Sequence, residues 1–179
     1  MILRTGIIAL LVTLCLSGCS ATKPVIWKAR DVSFSHFRSF EIHPVANATD
    51  KIVKNDVMTF LTVFLKEQFQ VHNLQLADSR LNKSEVLIVQ SDILVYEAHK
   101  LVNTSQSFIN TTGAARKAQC SLRTRLVDKS TNNLVAVILT VNEVAIGTIG
   151  YETHEWILKE SAAAVAKEVA RIIQDNAVR

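Results

Sequence analysis

Among side chains able to do covalent or metal chemistry, the chain carries three cysteines and five histidines. The histidines form no ligand pattern: His36, His43, His72 and His99 lack the short repeated spacing that brings two imidazoles onto one metal. His154-Glu155-Trp156-Ile157-Leu158 begins like a helical His-Glu-x-x-His zinc motif, but Leu158 stands where the second ligand must be. His154 therefore reads as a helix-start residue, and no metal is expected. A Gly-x-Ser-x-Gly elbow and a Gly-Lys-Ser/Thr phosphate loop are both absent, so neither a serine hydrolase nor a nucleotide-phosphate site is indicated. Gly147-Thr148-Ile149-Gly150 reads as a strand-to-helix turn. Cys120 lies between Ala118 and Leu122 on an apolar alternation, the setting of a small buried hydrophobe. No cofactor and no catalytic residue is expected from this inventory.

Cys19 differs from the other two cysteines. It closes the run Leu16-Ser17-Gly18-Cys19, which follows one cation, Arg4, and an uncharged apolar stretch over residues 6–16. That order of charge, apolar core and small residues is the pattern of an export signal. The apolar run is too short to be a permanent span, which takes about 20 residues. Leu16 to Cys19 resembles the lipobox of bacterial lipoproteins, in which the cysteine thiol is alkylated by a diacylglycerol and becomes the new amino terminus. The resemblance implies cleavage before Cys19 and a stable membrane anchor, since each buried methylene contributes about 0.8 kcal/mol. It also implies sorting to the outer membrane, on its periplasmic face, because Ser20 stands where inner-membrane members often have aspartate. The alternative is an ordinary secretory leader with a chance cysteine.

With the leader removed, Cys120 has no intrachain partner, so a disulfide framework is excluded. The formal net charge of +4 falls by one when Arg4 is lost, an excess too small to indicate nucleic-acid binding. Positive charge does gather locally. Lys117, Arg123 and Arg125 share one side of an alternating segment, with Arg116 beside it. Such a row suits lipid phosphates, lipopolysaccharide or an acidic protein surface, or it is simply a solvated sheet face. Trp27, near Lys23, Lys28 and Arg30, suits lipid headgroups or a partner, and equally the start of the domain core.

The elements that must position these residues are legible from periodicity. Residues 20–31 contain Pro24, mixed charge and no repeat, and read as part of a lipidated tether over residues 19–31. A strand is expected over 37–45. Asn47 to Thr49 offers a cap for a long amphipathic helix over about 50–69, with Ile52, Val53, Val57, Phe60, Leu61, Phe64 and Leu65 on its apolar stripe. Residues 85–96 are rich in β-branched side chains without clean alternation, as in a strand covered on both faces. Residues 118–127 alternate cleanly, and the Asp128 to Asn133 cluster turns them into a further strand over 134–145. Polar residues 100–113 read as a loop. A second helix opens at Thr153 or His154, with Ala162 to Ala164 supplying strong helix propensity.

The order β-α-β-β-β-α predicts an α+β fold: a two-layer domain with a mostly antiparallel sheet of about 3–5 strands and two long helices packed on it. The organisation expected is a signal peptide over 1–18, the tether over 19–31 and one periplasmic domain over 32–179. Together with the lipobox, the strand over 37–45, the helix over 50–69, the strand over 85–96 and the hairpin over 122–145 resemble small envelope-assembly lipoproteins, including uncharacterised families. The short tether, the single domain and the empty catalytic search point to a membrane-anchored protein with protein partners, a non-enzymatic accessory subunit of an outer-membrane secretion, transport or assembly complex. The alternative is a periplasmic lipid- or amphiphile-binding lipoprotein, with Phe60, Leu61 and Phe64 lining its pocket.

Overall fold

The computed structural model describes residues 23–78, 82–97, 117–145 and 153–175. The lipobox, Arg116, the loop over 100–113 and the Gly147 to Gly150 turn lie outside them.

Three strands of 12 residues each make the centre of the sheet: β5 (Val86–Glu97), β6 (Lys117–Asp128) and β7 (Leu134–Ala145). They pair antiparallel in sequence order. The expected hairpin is thus present. Four short strands complete a mixed sheet of seven: β1 (Val25–Lys28), β2 (Ser39–Ile42), β3 (Ala46–Asn47) and β4 (Gln75–Leu76), in the order β1-β7-β6-β5-β2-β4, with β3 also on β5. The expectation of 3–5 strands is corrected to seven among the described residues, and the expected element order changes with it. Beyond β5 the pairing turns parallel: β2 and β3 both run parallel to β5, and β4 runs parallel to β2. Parallel neighbours need a crossover, and the first helix supplies it, leaving β2 and returning into β4.

That helix, α1 (Asn55–Val71), begins five residues later than expected because Asn47 and Thr49 serve a turn instead of a cap. The Asn47 carboxamide oxygen accepts from the Thr49 amide at 3.0 Å, and its nitrogen donates to the Lys51 carbonyl at 2.9 Å. Ile52, expected on the apolar stripe, is consequently outside the helix and fully exposed. Val57, Leu61, Phe64, Leu65 and Phe69 keep the three-and-four spacing that buries one face. The helix ends where Asn73 takes a positive φ of 57°, with the Leu74 amide donating back to the Phe69 carbonyl at 2.8 Å. This is a left-handed cap with asparagine in the place that glycine usually fills.

The second helix, α2 (Thr153–Asp175), lies beside α1 and over β6 and β7. Its small residues Ala162, Ala166 and Ala170, with Ile157, Val165 and Val169, form the buried stripe. Both helices cover one face of the sheet, and the core lies between: Phe40 and Phe69 meet edge to face at 5.5 Å between centroids, over Leu87, Val89, Leu122 and Ile138. Phe34 and Phe37 close one end of it. Among the described residues no helix covers the opposite face.

The tether expected to end at residue 31 is shortened by the structure. Val25–Lys28 pairs antiparallel with β7, in the register Val25 to Leu139 and Trp27 to Val137. Among the described residues the sheet therefore begins at Val25.

Candidate functional site

Strand alternation sends Leu122, Thr124 and Leu126 into the core and Arg123 and Arg125 out to the open face. Each arginine side chain is about two-fifths exposed. Between them lies Asp92 of β5, whose residue exposure is only 6%. In the ladder Asp92 stands opposite Arg123. Arg123 donates to Asp92 Oδ2 from Nε at 3.1 Å and from Nη2 at 2.9 Å. Arg125 Nη2 donates to Oδ1 at 3.4 Å and lies 3.2 Å from Oδ2. The row expected to be purely basic is thus a triad with one net positive charge, built on a shared carboxylate. Arg125 Nε is buried with no hydrogen-bond partner.

The open face continues across β7 to β1. Arg125 is in register with Val137, and Val137 with Trp27; Arg123 is in register with Leu139, and Leu139 with Val25. Each row thus runs guanidinium, aliphatic, apolar edge residue. Neighbouring strands are about 4.8 Å apart, so Trp27 and Arg125 are roughly 10 Å apart along the row. Trp27 is 52% exposed and Val25 65%. Trp27 thus lies in the first described strand and is half exposed. Lys117 opens β6 opposite Ala145. Cys19 and Arg116 lie outside the described residues.

Asp92 was the functional-looking residue that periodicity passed over. Its signal was present: a carboxylate between the apolar runs Val86 to Val89 and Ile93 to Val95, in a segment read as covered on both faces, needs a partner, because burying an unpaired charge is costly. A β-bulge between Ile93 and Val95 hid the alternation that would have placed it.

Elsewhere, Asn142 of β7 and Ser161 of α2 are tied into the packing, whereas the buried Thr140 hydroxyl has no hydrogen-bond partner among the described residues. Asn142 Nδ2 donates to Ser161 Oγ at 3.2 Å, and Ser161 Oγ donates to the Ile157 carbonyl at 2.7 Å. Cys120 is wholly buried beside them, and burial pushes its thiol up to about 11, against the opposing hydrogen bond of Ser161. Burial likewise pushes the Tyr96 hydroxyl up. A thiol held protonated is a poor nucleophile. Among the described residues no group of three or more histidine, cysteine or acidic side chains is placed to hold a metal.

No protein-family model matches the chain, and no curated protein matches it. Solved structures do. A Xanthomonas campestris protein of family DUF330 superposes with a TM-score of 0.54 at 9% identity, covering 87% of this chain and 97% of its own. At that identity the likeness is one of fold. A DUF4136 family protein from Bacteroides thetaiotaomicron gives a TM-score of 0.47 at 10% identity, with 84% and 96% covered. A lipoprotein from Neisseria meningitidis gives 0.40 at 9% identity, with 74% and 96% covered.

Proposed function

We propose that this protein is a lipid-anchored, non-enzymatic subunit of an envelope complex, held at the periplasmic face of the outer membrane through Cys19. The observation that carries this reading is the Leu16-Ser17-Gly18-Cys19 run behind a short apolar leader. The early start of the sheet supports it, because a strand edge at Val25 leaves a short leash and a domain that works close to its anchor. Ser20 in place of aspartate supports the outer membrane. An accessory role is supported by apolar side chains left exposed on the helix layer, Phe60 and Val63 of α1 and Trp156 of α2.

The amphiphile-binding alternative would draw on Phe60, Leu61 and Phe64. Leu61 and Phe64 are buried in the core, and Phe60, 54% exposed, stacks on Phe64 at 6.3 Å between centroids.

Replacing Cys19 by alanine tests the anchor. The expected result is loss of the acyl mass, accumulation of uncleaved chain and release from the membrane pellet; unchanged mass and sedimentation would end the reading. A photo-crosslinking residue at position 60, used in intact cells, tests the partner. Recovery of a crosslinked protein supports a complex, and monomer alone counts against it.

A further inference from the structure

The edge of the sheet nearest the proposed anchor is unlike the rest of the surface. Val25 and Trp27 are alternate residues of one short strand, so both side chains leave the same face, and both are more than half exposed. Lys23 and Arg30 flank the strand in sequence and Lys28 ends it on the opposite face, in register with Ala136; all three are exposed. None of the three enters an ion pair among the described residues. Asp31 is the one acid in the segment over 23–31, which leaves a net charge of +2.

An exposed tryptophan and valine with cations close by in the chain match a bilayer's polar boundary. Indole is enriched at that depth, aliphatic carbon enters below it, and lysine and arginine lie with lipid phosphates. Reach makes the match specific to the bilayer. Six residue steps separate Cys19 from Val25, and a fully extended chain spans at most about 3.6 Å per step, roughly 20 Å in all. The headgroup layer is itself about 5–8 Å thick on each side. Strand β1 therefore starts within a short distance of that layer whatever path the leash takes.

We propose that the β1 edge, Val25 and Trp27 with Lys23, Lys28 and Arg30, docks on the anionic headgroup layer of the bilayer that holds the lipid anchor. Docking there fixes the orientation of the domain: the β1 edge is turned to the membrane, and the helix layer bearing Phe60 and Trp156 remains available to other proteins. The proposal rests on the Cys19 anchor.

The test uses the full lipidated protein carrying Trp156→Phe, so that Trp27 is the sole indole. It is reconstituted into vesicles of phosphatidylethanolamine with phosphatidylglycerol, and separately into phosphatidylcholine vesicles. On the anionic vesicles the expected result is a blue-shifted Trp27 emission, quenching by brominated acyl chains and loss of iodide quenching. Lys23→Gln, Lys28→Gln and Arg30→Gln together, and likewise the phosphatidylcholine vesicles, reverse all three signals while the protein still floats with the vesicles. Flotation with Trp27 fully open to iodide overturns the docking and leaves the anchor standing. Failure to float overturns both. Shielding from iodide without quenching by brominated chains reports contact with a second protein copy and also overturns the docking.

Discussion

Arg123 holds Asp92 by two nitrogens on a single carboxylate oxygen, at 2.9 and 3.1 Å, and Arg125 lies beside the same group. The shared carboxylate keeps two guanidinium groups close together on the open face. Asp92→Asn preserves shape and removes the charge, leaving the arginines to repel one another. Because both arginines are partly solvated, the expected loss is discounted to about 1–3 kcal/mol. For a domain of this size that lowers Tm by roughly 2–4 °C per kcal/mol. The single Arg123→Gln and the double variant complete a cycle, in which a favourable coupling between positions 92 and 123 is expected. An unchanged Tm in Asp92→Asn would show that the triad is held by the fold and does not hold it. The triad also governs how this face should be probed: converting both arginines to glutamate gathers three carboxylates and destabilises the sheet, so neutral glutamine is the informative replacement.

Phe69 is wholly buried at the end of α1 and packs edge to face on Phe40 of β2. It joins the helix to the parallel part of the sheet. Phe69→Ala leaves a cavity between the two layers and is expected to cost about 3–5 kcal/mol, against a much smaller effect for Phe60→Ala on the exposed side. Chemical denaturation of the two variants checks this. Equal losses would contradict the assignment of buried and exposed faces on α1.

How much of this arrangement was legible depended on the length of each element. The alternation from Ala118 to Leu126 spans enough residues to show its two faces, and the stripe from Val57 to Leu65 spans two helical turns, so strand β6 and helix α1 could be read directly. Strand β1 could not, since Val25 to Lys28 is four residues beside a proline and among charges, and its structure comes from pairing with β7. Strands β3 and β4 have two residues each, too few for any period. Direction was also hidden: Phe40 and Ile42 show which face is apolar, but nothing local to them selects parallel pairing with β5. For the candidate surface, Arg123, Arg125 and Trp27 were visible by type, whereas the carboxylate that neutralises part of the row arrives from a strand about thirty positions earlier.

Acid should weaken the β6–β7 end of the domain. The Lys129 ammonium is the main influence holding Glu41 below the usual carboxylate range, with His43 adding to it against some burial. At Asp128 burial pushes upward, but hydrogen bonds from Ser130 and Thr131 outweigh it and leave the group lowered. A carboxylate lowered in the folded state contributes stability above its unfolded pKa, about 3.9 for Asp and 4.3 for Glu, and loses it as pH falls through the folded value. Thermal melts should therefore show Tm falling below about pH 4, less steeply in Lys129→Met. Identical profiles would remove Glu41 from the account. Asp128→Ala also unties the turn, whose Ser130 amide donates to Asp128 at 2.8 Å, and is expected to cost about 1 kcal/mol at neutral pH.

Cys120 should be silent until the domain opens. Its side chain has no exposed surface, and it faces α2, where Ser161 and Asn142 are hydrogen-bonded to each other. Because burial raises the thiol to about 11, only a very small fraction is thiolate at neutral pH, and alkylation proceeds through the thiolate. Both barriers vanish together on unfolding. A folded sample treated with iodoacetamide should thus label Cys120 only at the rate at which the layers separate, and the rate should rise with denaturant in step with the loss of helix signal. The contrast is with a cysteine exposed by a local movement of α2, which would label at low denaturant while the sheet and α1 stayed intact. Ser161→Ala distinguishes the two further: it removes a hydrogen bond near the thiol but exposes nothing, so the native labelling rate should stay low. Rapid native labelling of the wild-type chain would mean that α2 lifts from β6 and β7 without global unfolding.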